Sequence, residues 1–239
     1  MKKTLKLLIL VLSLALIFGA IAIVASADAE AASEPVTLTQ AMIDSSNGTI
    51  SFESDMKVTA DLTVGKNLTL DLNGYKLTVD STKKFTVSGS YTFTVNGPGE
   101  IECGLFVNAD ATNSVTLNIN GKSDEALSIY QKASSVQFST IRKGTVNVNN
   151  VYYTSDSAWK GGSDYAVFGT TGSAGVKYML KNSTFTLDKC GYYAQKPSNT
   201  GGSLGSNSFI LIGTSDTADI DGCVVNHEGH IFNTAHTGT

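Results

Sequence analysis

Asn67-Leu68-Thr69-Leu70-Asp71-Leu72-Asn73-Gly74-Tyr75-Lys76-Leu77-Thr78 is the stretch on which the fold turns. Leu68, Leu70 and Leu72 alternate with Thr69 and Asp71, a period of two that buries one side of a β-strand and wets the other. Asn73-Gly74 interrupts the strand with the two residue types that best accept left-handed backbone, and Leu77 resumes the alternation. The same arrangement recurs outward along the chain. Phe93-Thr94-Val95-Asn96 leads to Gly97, Leu117-Asn118-Ile119-Asn120 to Gly121, and Val146-Asn147-Val148-Asn149 to Asn150. Tyr178-Met179-Leu180-Lys181 leads to Asn182, and Ala218-Asp219-Ile220-Asp221 to Gly222. Successive anchors from Gly74 to Gly222 lie 23, 24, 29, 32 and 40 residues apart. Two positions before each anchor stands an aliphatic residue, and one position before the first four stand Asn73, Asn96, Asn120 and Asn149.

Stacking such strands about 4.8 Å apart lines up the aliphatics as one column and the asparagines as another, whose amides can bond along the column. A coil of 23 to 24 residues that later grows by insertion describes a solenoid with loops swelling on one side. The quoted stretch resembles the opening coil of right-handed parallel β-helix proteins of the pectate-lyase-like superfamily. In their exported bacterial members a short capping helix often precedes that coil. Here Leu38, Met42 and Ile43 form a brief helical pattern, with Thr37 or Thr39 as N-cap and Gly48 as stop. The resemblance covers about residues 37 to 234, the later coils by register alone. It implies an all-β, right-handed parallel β-helix with a short N-terminal capping helix. A β-sandwich of short strands is the competing fold; it explains the alternation but not a recurring Asn-Gly column. No cap is evident after Ile231-Phe232, so the chain is expected to be incomplete at its C-terminal end.

The N-terminal segment reads as an export signal. Lys2, Lys3 and Lys6 precede an apolar run from Leu7 to Val24, and Ala25-Ser26-Ala27 fits a signal-peptidase site. A retained membrane anchor is the rival reading, but no Lys or Arg follows until Lys57, so nothing marks a stop-transfer boundary. Three segments result: a signal peptide at 1–27, a linker at 28–36 and the β-helix domain at 37–239. Localisation is then secreted or cell-surface, with no membrane contact beyond the signal peptide. The chain carries a net charge of −4 with 16% charged residues, and Arg142 is its single arginine. Nucleic acid is therefore excluded as a partner, since no basic stripe tracks phosphates. Cys103, Cys190 and Cys223 are an odd number for an exported chain. A Cys190–Cys223 bridge and free core thiols both remain open.

The chemistry the resemblance implies transfers poorly. Pectate-lyase-like elimination wants an acidic calcium cluster and a basic residue, usually Arg, which here leaves only Arg142. Polygalacturonase-like hydrolysis wants an Asn-Thr-Asp, an adjacent Asp pair, a Gly-His-Gly and an Arg-Ile-Lys. The first three are absent, and no carboxylate pair is identifiable. No catalytic residue is assigned. Asp219 and Asp221, two apart and on one face of a strand, are the candidate metal ligands, with Asp216 nearby. Calcium is the one cofactor this pattern admits, and an outward acidic face is the alternative. His227-Glu228-Gly229-His230 lacks the spacing of a helical zinc motif.

Tyr152, Tyr153, Trp159, Tyr165, Tyr192 and Tyr193 fall in the long later coils. Exposed aromatic rings stack on the apolar faces of sugars, and loops on a rigid scaffold are where sites lie. Trp159, Tyr165, Tyr192 and Tyr193 are the candidate glycan-binding residues; filling gaps beneath long loops is the alternative for each. The sequence thus points to an exported non-catalytic β-helix module for adhesion, glycan binding or display. Its expected partner is a polysaccharide or cell-surface glycan, and further domains of a longer chain are admissible. A polysaccharide lyase or glycoside hydrolase acting on acidic polysaccharide is the alternative, and a purely structural stalk a third reading.

Overall fold

The computed structural model describes residues 34–132, 137–155, 166–169, 173–187, 208–213, 215–226 and 230–234. The proposed signal peptide, most of the linker, and Trp159, Tyr165, Cys190, Tyr192 and Tyr193 lie outside the described residues. Among the described residues no helix is long and apolar enough to cross a membrane.

Among the described residues three sheets, every neighbouring pair parallel, make an all-β parallel β-helix. The first has eight strands, Val36–Thr37, Met56–Val58, Lys76–Val79, Gly99–Cys103, Leu127–Gln131, Val151–Ser155, Thr184–Thr186 and Val224–Asn226. The second, here the asparagine sheet, has seven: Thr49–Ser51, Leu68–Asp71, Thr92–Asn96, Val115–Asn120, Gly144–Asn149, Val176–Lys181 and Thr217–Asp221. The third also has seven, from Leu62–Val64 through Phe85–Val87, Val107–Ala109, Ser139–Ile141, Ala166–Phe168 and Ser208–Ile212 to His230–Thr234. From Thr49 on, the chain visits the asparagine sheet, the first sheet and the third in turn, so each circuit is one coil. Seven strands at about 4.8 Å span roughly 29 Å. The asparagine sheet begins one coil earlier than the anchored repeats, at Thr49–Ser51, whose Ile50 pairs with Leu70.

Alternation sets the interior. Leu70, Val95, Ile119, Val148 and Leu180 form one inward column, each fully buried. Phenylalanine fills the space between sheets: Phe106 lies 5.3 Å from Phe138 in a stacked arrangement and 5.4 Å from Phe85 edge-on. Phe168, Phe185 and Phe209 continue the contacts through later coils, with Phe185 and Phe209 at 4.7 Å. Such offset and edge-on ring pairs add to the hydrophobic effect of burial itself. In the last coil the inward Ala218, Ile220 and Val225 are only half-buried.

The helix runs Gln40–Ser45, and of the two candidate caps Thr39 is the one used, its Oγ1 accepting from the Met42 N–H. Leu38 and Ile43 plug the open core beneath it. Gln40 closes a sheet edge as well. Its Nε2 donates to the Thr63 carbonyl at 2.9 Å and its Oε1 accepts from the Thr63 N–H at 2.7 Å. One side chain thus stands in for the missing neighbour of the edge strand Leu62–Val64, the kind of cover that keeps a parallel sheet from pairing with another chain.

Candidate functional site

Outward residues of the asparagine sheet form aligned columns. Asn120 Nδ2 donates to Asn96 Oδ1 at 3.2 Å, and the column continues through Asn149, which pairs with Asn120 in register. Asn73 does not belong to it. The register places Asp71, not Asn73, opposite Asn96. The reason is local: the strand ends at Asp71, and Asn73 and Gly74 both turn left-handed, with φ of 50° and 90°. Asn73 instead sends its amide to the Phe52 carbonyl at 3.2 Å. A second ladder runs two residues further in. Asn118 donates to Thr94 Oγ1 at 3.1 Å and Asn147 to Asn118 Oδ1 at 2.8 Å. The repeated Asn at positions three before Gly121 and Asn150 was the available signal for it. The later anchors behave as turns: Asn150, Asn182 and Gly222 all take positive φ.

The acidic residues of the last coil divide by role. Asp216 is consumed by its own turn and the coil before it, accepting from Gly213 N–H at 2.8 Å, Val176 N–H at 2.7 Å and Ser173 Oγ at 2.6 Å. Asp219 and Asp221 do share one outward face, exposed, opposite Met179 and Lys181 in register. Among the described residues no three His, Cys, Asp or Glu side chains gather to hold a metal ion. His227, Glu228 and Gly229 lie outside the described residues, as does the side chain of His230. Arg142 is exposed just after Ser139–Ile141, its carbonyl accepting from Ala174 N–H at 2.6 Å. Cys103 and Cys223 are free thiols, and burial pushes the Cys103 thiol far above its ordinary value.

The adjacent tyrosines separate by strand alternation. Tyr153 is 1% exposed and belongs to the core, its hydroxyl donating to the buried Gln131 Oε1, so it is no sugar-stacking ring. Tyr152 points the other way and is 57% exposed. On the neighbouring strand the outward Tyr130 sits opposite Thr154, and Ser128 opposite Tyr152. The two tyrosines are therefore diagonal neighbours, roughly 8 Å apart at Cα by strand and residue spacing.

A charged quartet lies beside them, with Glu100 and Glu102 one coil before Tyr130, Lys76 two coils before it and Lys132 two residues after it. Lys76 Nζ lies 2.9 Å from Glu100 and 2.6 Å from Glu102, and Lys132 also pairs with Glu102. Register puts Glu102 directly opposite Tyr130 and Glu100 opposite Ser128. Partial burial pushes the Glu102 carboxyl up, but hydrogen bonds from Lys132 and Lys76 outweigh it and hold it below the usual carboxylate range. For Lys76 partial burial pulls downward, and Glu100 and Glu102 together hold the ammonium above its ordinary value. The outer face of the first sheet thus joins two rings, two hydroxyl-bearing neighbours in Ser128 and Thr154, and four mutually paired charges. Comparison with family models, with curated proteins and with solved structures gives no match.

Proposed function

We propose that this chain is an exported, non-catalytic β-helix module, secreted or held at the cell surface, that binds glycan. In this reading it is a divergent member of the pectate-lyase-like superfamily. The observation that carries the reading is Tyr152. A large ring 57% exposed on a rigid parallel sheet, with Tyr130 diagonal to it, offers the apolar platform on which a sugar face stacks. Paired carboxylates and ammonium groups beside it supply acceptors and donors for sugar hydroxyls. Trp159, Tyr165, Tyr192 and Tyr193 stay candidate glycan-binding residues on their aromatic character alone. Asp219 and Asp221, on the asparagine sheet, take no part in it, and calcium at that pair is a separate proposal tested by calorimetric titration.

Retention on polysaccharide-loaded affinity gels tests the proposal, with Tyr152→Ala and Tyr130→Ala beside the unaltered protein. Losing one stacked ring is expected to weaken binding about tenfold, the effect of roughly 1.4 kcal/mol. Both side chains face outward, so the far-ultraviolet circular dichroism of each variant stays unchanged. Equal retention of all three proteins on every gel that binds them would sink this site.

A further inference from the structure

We infer that the glycan bound at this face is an uncharged polysaccharide, not a polyuronate; the inference rests on the glycan-binding reading above. Its ground is the closure of charge around the two tyrosines. Lys76, Lys132, Glu100 and Glu102 sum to zero, and each is engaged by at least one of the others. Glu102, the carboxylate opposite Tyr130, is shared by both lysines, so neither ammonium is left as a dedicated partner for a ligand carboxylate. A polyuronate docking on Tyr130 and Tyr152 would bring its carboxylates beside Glu100, 43% exposed at its side chain, and would have to break existing pairs to find a cation. The chain as a whole adds a net −4, which repels a polyanion at long range. The remaining neighbours of the rings are hydroxyl-bearing: Ser128 between Glu100 and Tyr152, Thr154 beside Tyr130 and Thr184 opposite Tyr152 on the next coil.

A neutral sugar chain meets none of these penalties. Its ring faces stack on tyrosine, its hydroxyls donate to the Glu100 and Glu102 carboxylates, and its oxygens accept from the Ser128 and threonine hydroxyls. Because the binding groups cancel in charge, affinity is insensitive to ionic strength, whereas attraction between a cationic site and a polyuronate fades as salt shortens the Debye length from roughly 30 Å to 3 Å between about 0.01 M and 1 M.

Gels loaded with an uncharged β-glucan, an uncharged galactomannan, polygalacturonate or alginate are run at both salt extremes. The expected result is retention on at least one uncharged gel, changing less than about twofold with salt, and retention on both polyuronates at least about tenfold weaker. The substitution Glu100→Lys, which makes the quartet cationic, is expected to create salt-sensitive retention on polygalacturonate. Preference of the unaltered protein for a polyuronate, lost at high salt, would overturn the neutral-ligand inference and leave glycan binding standing. Retention on no gel at either salt overturns both.

Discussion

Replacing Phe106 by Ala tests the interior of the solenoid at a ring with three aromatic partners. Phe106 is fully buried and touches three others: Phe138 at 5.3 Å, Phe85 at 5.4 Å and Phe93 at 5.9 Å between centroids. Phe→Ala in a packed core costs about 3–5 kcal/mol. Loss of three ring partners, each pair adding about 0.5–1.5 kcal/mol, places this site at the upper end, near 4–5 kcal/mol. Two residues on, Asn108 faces outward and accepts from Thr140 Oγ1 at 2.5 Å. Asn108→Ala removes that single bond and costs about 1 kcal/mol. Urea unfolding followed by circular dichroism compares the two. With a slope of about 2–3 kcal/mol per molar, Phe106→Ala moves the midpoint down by roughly 2 M and Asn108→Ala by less than about 0.5 M. A lowered slope in the Phe106 variant would report coils above and below the gap unfolding separately, as nearest-neighbour coupling in a solenoid allows. Equal shifts for the two variants, or a Phe106→Ala shift under about 0.5 M, would refute the placing of Phe106 in the core and Asn108 on the outside.

Three further outcomes follow from the same geometry. Gly144→Ala is strongly destabilising, because the backbone there has φ of 122° and an added Cβ would stand 1.9 Å from the Val115 carbonyl oxygen; a cost of about 3 kcal/mol lowers the melting temperature by roughly 6–12 °C in a chain of this size. Asn118→Ala breaks bonds to both Thr94 and Asn147 and costs about 1–2 kcal/mol, whereas Asn73→Gly, relieving a left-handed asparagine and losing one bond, costs less than about 1 kcal/mol; thermal melts rank the pair, and the reverse order would restore Asn73 to the ladder. The ion quartet makes stability depend on acid: with its folded value depressed, Glu102 contributes above about pH 4.3 and loses that contribution as pH falls through the folded value, so Glu102→Gln flattens the acid limb of the urea midpoint plotted against pH.

Much of this fold was legible because a parallel β-helix writes its register into the chain. The aliphatics Val95, Ile119, Val148, Leu180 and Ile220 fall at the same offset from a Gly or Asn, and all five share one column in space. The helix was readable from Leu38, Met42 and Ile43, with Thr39 ahead of them. Side-chain substitution for backbone was not readable: nothing in the sequence of Gln40 says that its amide pairs with Thr63, twenty-three residues on. The acidity of Asp216, beside the candidate ligands Asp219 and Asp221, is visible in sequence, while the three donors that occupy it come from Ser173, Val176 and Gly213 and are not. Tyr152 and Tyr153 were equivalent by type; only strand phase separates the exposed ring from the core one.

The misplacement of Asn73 and the difficulty of finding the tyrosine site have one physical cause. In a solenoid, neighbours in space are one coil apart in sequence, and coil length varies. Tyr130 and Tyr152 are separated by 22 residues, Lys76 and Glu102 by 26, and Lys132 and Glu102 by 30. A slip of one residue turns every side chain to the other face and is betrayed at once by polar residues in the core. A slip of two leaves inside and outside intact and only shifts which outward residues stand beside each other. Hydrophobic patterning cannot detect that error, so Asn73 passed as a ladder member when Asp71 held its place. Function on the outer face depends on that undetected quantity: Glu102 beside Tyr130, and Tyr152 diagonal to it, exist as a site only in the observed register. A two-residue insertion after Ser155 lies downstream in sequence of Gly99–Cys103, Leu127–Gln131 and Val151–Ser155 and is expected to leave glycan retention intact. The same insertion beside Asn150, in the turn that joins Gly144–Asn149 to Val151–Ser155, bears directly on whether Val151–Ser155 keeps its register with Leu127–Gln131. Retention lost with circular dichroism unchanged would show that register, beyond composition, makes the site; retention kept would mean that backbone pairing absorbs the extra residues in the loop.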